Sequence, residues 1–156
     1  MGYFSESRNV EISTFEYLKT QIDANWSNIN TVKSFIQAYK TVLPVVCIRL
    51  TDIHTDRKEI GATTLRNSYT IVIDIFARSD GQRMDLAYFI LDALKGVWTY
   101  NTYAQTSGDP SSLTATATDK LYVNYFNENT KLDFGEDIDK YDKYRHIISI
   151  TVVKAT

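Results

Sequence analysis

The sequence predicts a single α+β domain, a mainly antiparallel β-sheet flanked by helices on one face. Three observations predict it. The chain has 156 residues, the length of one domain. Strand patterns occur in adjacent runs with helical patterns set between them, rather than in the regular alternation of a doubly wound fold. Composition is that of an ordinary globular protein, 44% hydrophobic and 23% charged, sufficient to bury a core. The predicted division, inside one domain over 1–156, is a helical part over 13–42 and a sheet with its central helix over 45–156.

The first helix is predicted over 14–24. Ser13 and Glu16 have capping-box spacing, Ile12 and Tyr17 fit a hydrophobic staple, and Phe15, Leu18 and Ile22 follow at helical intervals. The run 25–28 breaks it with turn formers. Val32, Phe35, Ile36 and Tyr39 repeat the helical spacing, so a second short helix is expected before Pro44, which cannot continue one. Residues 45–50 form an almost continuous apolar run, the pattern of a strand covered on both faces.

The polar stretch 51–61 reads as a long connection or the tip of a hairpin. Over 69–77, Ile71, Ile73 and Ile75 alternate with Val72, Asp74 and Phe76, predicting a strand. Ser79 and Gln82 form a second capping-box candidate. A helix over 81–95 follows, with Leu86, Phe89, Ile90, Ala93, Leu94 and Val97 on one stripe and Gly96 as its C-cap. After Trp98-Thr99-Tyr100, the Ser, Thr, Gly, Ala and Pro content of 105–117 predicts a loop. A short strand over 121–126 and a final strand over 144–153, with Ile148, Ile150 and Val152 on one face and Ile147 on the other, complete the order.

Charge argues against a nucleic-acid reader. Seventeen Lys and Arg against nineteen Asp and Glu leave a net charge of −2. Cys47 is the single cysteine, which rules out an intrachain disulfide and a Cys-based zinc cluster. No apolar run approaches the roughly 20 residues of a spanning helix, and the first residues lack the pattern of a secretory signal. Eleven Tyr, seven Phe and two Trp exceed what a small core holds, which points to protein–protein contacts.

The candidate chemistry is sparse. Asp52, His54 and Asp56 would share a face on a strand and supply metal-ligating types, though polar residues before a charged connection are also what solvent selects. Asp74 stands in an apolar strand. It reads either as a buried catalytic or metal-binding carboxylate, or as an acid on a partly exposed face or paired with an Arg across a subunit contact. The Glu-x-Lys that a restriction-type nuclease would need after it is missing. His146 reads as packed or solvated, Cys47 as a small buried hydrophobe, and the residues 79–83 as a helix cap rather than an anion site. No catalytic triad or zinc motif occurs, so no catalytic, cofactor or metal residue is assigned.

The central segment carries a resemblance. Leu43-Pro44-Val45-Val46-Cys47-Ile48-Arg49-Leu50-Thr51-Asp52 precedes Lys58-Glu59-Ile60-Gly61, then Tyr69-Thr70-Ile71-Val72-Ile73-Asp74-Ile75-Phe76-Ala77 and Asp80-Gly81-Gln82-Arg83-Met84-Asp85-Leu86-Ala87. This succession, with the closing 142–150, resembles the small neck proteins of tailed bacteriophages, the tail-terminator and tail-completion group. The resemblance implies a non-enzymatic virion protein. It would be a homo-oligomeric ring, typically a hexamer, that caps the tail tube and joins it to the head–tail connector or head-completion protein. It would assemble in the host cytoplasm and serve at the phage neck, with DNA passing through the bore without specific binding and no membrane involved.

Residues 128–142 hold six acidic side chains and two lysines, a local net of −4; facing a bore, they would repel DNA phosphates, and as a solvated loop they would do nothing special. Two other classes compete with the ring: a small metal-dependent hydrolase or nuclease using Asp52, His54 and Asp74, and a monomeric adaptor binding one partner through its aromatics.

Overall fold

A computed structural model of the chain describes residues 2–61, 63–105, 113–133 and 140–155, with side chains from residue 4 onward. Strand β1 (Gly2–Tyr3) leads into helix α1 (Glu6–Asn25), then β2 (Asn30–Val32), α2 (Phe35–Lys40), β3 (Val45–Arg57), β4 (Leu65–Phe76), α3 (Asp80–Ala93), β5 (Trp98–Gln105), β6 (Leu113–Leu132) and β7 (Arg145–Ala155). The strands build one seven-stranded sheet in the order β1-β5-β6-β7-β4-β3-β2. Every pairing is antiparallel except β2 with β3. The fold is the expected single α+β domain.

The alternation in β4 and β7 sorts the core. Ile71, Ile73, Ile75, Ile148, Ile150 and Val152 face α1 and α3, where Leu18, Ile22, Leu86, Ile90 and Leu94 complete the main cluster. Val45, Cys47 and Phe76 point to the other face and pack with Ala38 and Phe35 of α2. So α1 and α3 share one face, while the six-residue α2 covers a corner of the opposite one.

Helix α1 begins at Glu6 rather than residue 14. Ser5 is its N-cap, accepting from the Arg8 N–H at 3.4 Å, and Glu6 suits the positive end of the helix. Ser13 caps nothing. It lies buried in mid-helix, where its Oγ accepts from the Asn101 N–H at 3.0 Å, and Asn9, one turn earlier, accepts from the Tyr103 N–H at 3.2 Å. These polar groups satisfy backbone of β5, which is why a cap-like residue sits inside a helix.

Val32 belongs to β2, not to the second helix, because the parallel register of 30–32 on 45–47 claims it. The helix starts after Ser34, whose Oγ accepts from Gln37 N–H at 3.2 Å. Helix α3 is capped by Ser79, which accepts from Gln82 N–H at 3.2 Å, while Gln82 Oε1 reaches the Arg78 N–H at 2.9 Å, one residue short of a full capping box. Replacing Ser79 by Ala is expected to cost about 0.5–2 kcal/mol, measurable by urea unfolding. Gly96 is not the C-cap. The helix closes at Leu94 in a right-handed conformation (φ −79°, ψ −7°).

The stretch 51–61 is the hairpin of its second reading, but part of it, like part of the predicted loop 105–117, is strand. Residues 51–57 continue β3 into a long hairpin with β4, joined across it by Thr55 and Asn67 (2.7 Å), with Gly61 at its tip carrying φ +83°. Residues 113–117 begin β6, where β-branched Thr114 and Thr116 alternate with Ala on a hairpin arm paired to β5. The rest of the predicted loop, 106–112, lies outside the described residues, as do Glu136, Asp137 and Asp139 of the acidic segment.

Candidate functional site

The sequence-flagged carboxylate Asp74 is fully buried (0% exposed) under α2. It occupies the middle of the rung Cys47–Asp74–Ile147, and its diagonal neighbours on the flanking strands are Arg49 and Arg145. Arg145 Nη2 is 3.0 Å from Asp74 Oδ1, and Arg49 Nη2 is 3.7 Å from Oδ2. Asp74 therefore neither lies on a partly exposed face nor pairs across a subunit contact: both arginines belong to its own chain.

A polar and aromatic shell surrounds this group. Arg145 Nη1 is 3.3 Å from Asp142 Oδ1, which also accepts from Tyr39 OH at 2.8 Å. The Arg49 guanidinium stacks 3.9 Å above the Phe35 ring. Burial pushes the Asp74 carboxyl above its ordinary range, and the two arginines offset that only in part. Burial, followed by the Asp74 charge, pushes the Cys47 thiol up to about 11, so it is no nucleophile near neutral pH. The arrangement joins α2, β3, β4 and β7, and leaves Asp74 Oδ2 without a hydrogen-bond partner among the described residues.

The three candidate ligands are not brought together. Asp52 stands five residues along β3 from Cys47, the partner of Asp74, a separation of about 16 Å at strand rise. One ion binds oxygen or nitrogen at roughly 2.0–2.6 Å. His54 is exposed and sits 3.0 Å from Asp56, and Asp52 Oδ1 accepts from the Ile53 N–H at 2.9 Å. Among the described residues, no group of three or more His, Cys, Asp or Glu is placed to hold a metal. His146 is packed: Nε2 lies 2.5 Å from Asn129 Oδ1, and burial, then Arg83 and Lys131, hold its pKa down.

The helix start at Asp80 is likewise spent internally. Asp80 pairs with Arg83 and with Lys131 (2.8 Å), and Arg83 Nη1 donates to the Leu132 carbonyl at 2.8 Å. A groove of about 710 Å³ lies where β7 ends between the two hairpins, lined in part by Glu6, Arg66, Asn67, Tyr122 and Lys154. Its charges serve one another. Burial acts to raise the Glu6 carboxyl, but hydrogen bonds from Tyr69 and from Lys154 (3.0 Å) outweigh it and hold the group low.

What the sheet leaves open is its edges. Pairing of β6 with β5 ends at Leu121, so on that side 122–132 has no partner strand among the described residues. On the opposite side, β2 covers only Val45 to Cys47, so on that side 48–56 has no partner strand among the described residues. Exposed aromatics mark the first edge, with Tyr125 65% and Phe126 43% accessible. Ile53 is exposed on the second. Carboxylates guard two amides of that second strand: Glu11 Oε2 accepts from Leu50 N–H at 2.8 Å, as Asp52 does from Ile53. Sequence reasoning missed both edges, since only the topology reveals which strand halves remain unpaired.

Compared with known proteins, the chain matches no family model and no curated protein sequence. No helix among the described residues is long and apolar enough to cross a membrane.

Proposed function

We propose that this chain is a structural subunit of a tailed-phage neck, a tail terminator that assembles into a closed homo-oligomeric ring and is not an enzyme. The ring caps the tail tube and joins it to the connector or head-completion protein, with DNA passing through the bore. The observation that supports this most is the pair of unpartnered sheet edges on opposite sides of one sheet. A head-to-tail ring needs two different surfaces per subunit, and it removes exposed edges by pairing them. Aromatic side chains beyond the core supply apolar contact area there. The sequence resemblance over the central segment points the same way.

Immunogold labelling of phage particles carrying this chain tests the reading. The expected result is label confined to the head–tail junction. Label on the tail tip, on the capsid shell or on no particle would overturn it.

A further inference from the structure

We infer that neighbouring subunits join edge to edge, with residues 122–129 of β6 in one copy pairing antiparallel with residues 48–54 of β3 in the next. This rests on the ring reading and specifies its contact.

Strand direction comes first. From β3 through β4 and β7 to β6, each pairing is antiparallel, so β3 and β6 run in opposite senses within one subunit. Rotation about an axis along the strands preserves these senses. The β6 of one copy then meets the β3 of the next antiparallel, the pairing that accepts evenly opposed hydrogen bonds.

Level along the strands comes second. A closed ring has no rise per subunit, so with the axis along the strands, residues on one lateral rung meet across the interface. The rungs are continuous. Tyr125 lies opposite Thr151, Thr151 opposite Thr70, and Thr70 opposite Asp52. The same tracing puts Val123 level with Ile53, Phe126 with Leu50, and Glu128 with Arg49.

These matches are chemically complementary. Of the four, two are apolar against apolar, one sets the Glu128 carboxylate beside the Arg49 guanidinium that also faces Asp74, and one sets the Tyr125 phenol level with the Asp52 carboxylate. Nothing in the pairing inside one subunit requires that agreement, because β6 and β3 are separated by two other strands. The guarding carboxylates of Glu11 and Asp52 sit on the β3 side and keep the lone subunit from pairing with unrelated strands. Main-chain bonds supply the adhesion, and the alternating side chains fix register.

Disulfide trapping tests the contact. Asp52→Cys and Tyr125→Cys variants are purified separately, mixed and oxidised, with exposed Met84→Cys on α3 as control. The native Cys47 is buried, and burial pushes its thiol up to about 11, so it stays silent. Alongside, light scattering measures the mass of the unmodified chain. The expected product is the Asp52→Cys/Tyr125→Cys cross-link, in roughly tenfold or greater excess over either self-cross-link and over products with the control, because juxtaposed thiols react at raised effective concentration.

That excess supports the contact whether the chain weighs as a multimer or as a monomer in transient exchange. A multimer without the excess overturns the edge pairing and leaves the ring intact. A dominant self-cross-link of either variant reveals a two-fold contact and overturns it. A monomer without the excess overturns the edge pairing together with ring formation by the free chain.

Discussion

Replacing Arg145 by Met is expected to destabilise the fold by about 3–5 kcal/mol at neutral pH, since it strips a buried carboxylate of its nearest cation. Asp74 would keep only Arg49, at 3.7 Å, for a group with no access to water. Against a typical total of about 5–15 kcal/mol, that is a large fraction. The effect carries a pH signature. Burial already holds the Asp74 carboxyl above its ordinary value, so the folded chain keeps this proton where the unfolded chain has lost it. Its contribution to stability is full below the ordinary carboxylate range and declines as pH rises through the folded value.

Loss of Arg145 raises that folded value further. The gap between variant and native protein should therefore narrow on acidification toward about pH 4, where a protonated Asp74 needs no partner. Urea unfolding at several pH values measures it, and a gap that stays constant with pH would refute the assignment. Replacing both members, Asp74→Leu with Arg145→Met, should recover part of the loss, because no buried carboxylate remains, while the half-buried Arg49 loses its partner.

Trp98→Ala is expected to cost a comparable 3–5 kcal/mol, about the usual toll for emptying a buried indole site. Trp98 is 3% exposed, its ring stacks on Tyr17 at 5.2 Å, and its N–H donates to Thr14 Oγ1 at 3.2 Å. It holds β5 against α1. Trp98→Phe should lose less, since the ring contact survives and only the hydrogen bond goes. A shift in the unfolding midpoint at unchanged slope is the expected reading; an altered slope would mean that α1 detaches separately.

Legibility in the sequence followed burial. The isoleucine alternation of β4 and β7 and the apolar stripe of α3 are driven by the core, and their faces are readable from spacing alone, except that Val97, expected on the stripe, lies past the helix end and is exposed. Elements that answer to something else are not readable in this way. Ser13 looks like a helix cap because its hydroxyl does accept from a backbone N–H, that of Asn101 in β5, 88 residues away in sequence. The arms of β3 and β6 are exposed on both faces, so no apolar period marks them. Asp74 was conspicuous as an acid in an apolar strand, yet its partner lies 71 residues further on, and only strand order brings the two together. The unpaired edges are properties of topology, written in no local pattern.

The guarded amides of Leu50 and Ile53 have a thermodynamic consequence. Any strand that docks there must displace a carboxylate from each, trading one hydrogen bond for another rather than gaining two. At those two amides docking is then close to isoenergetic, so the net main-chain gain comes from the other groups of the edge. An edge so guarded rewards backbone pairing alone less than it rewards pairing with a strand whose side chains also fit.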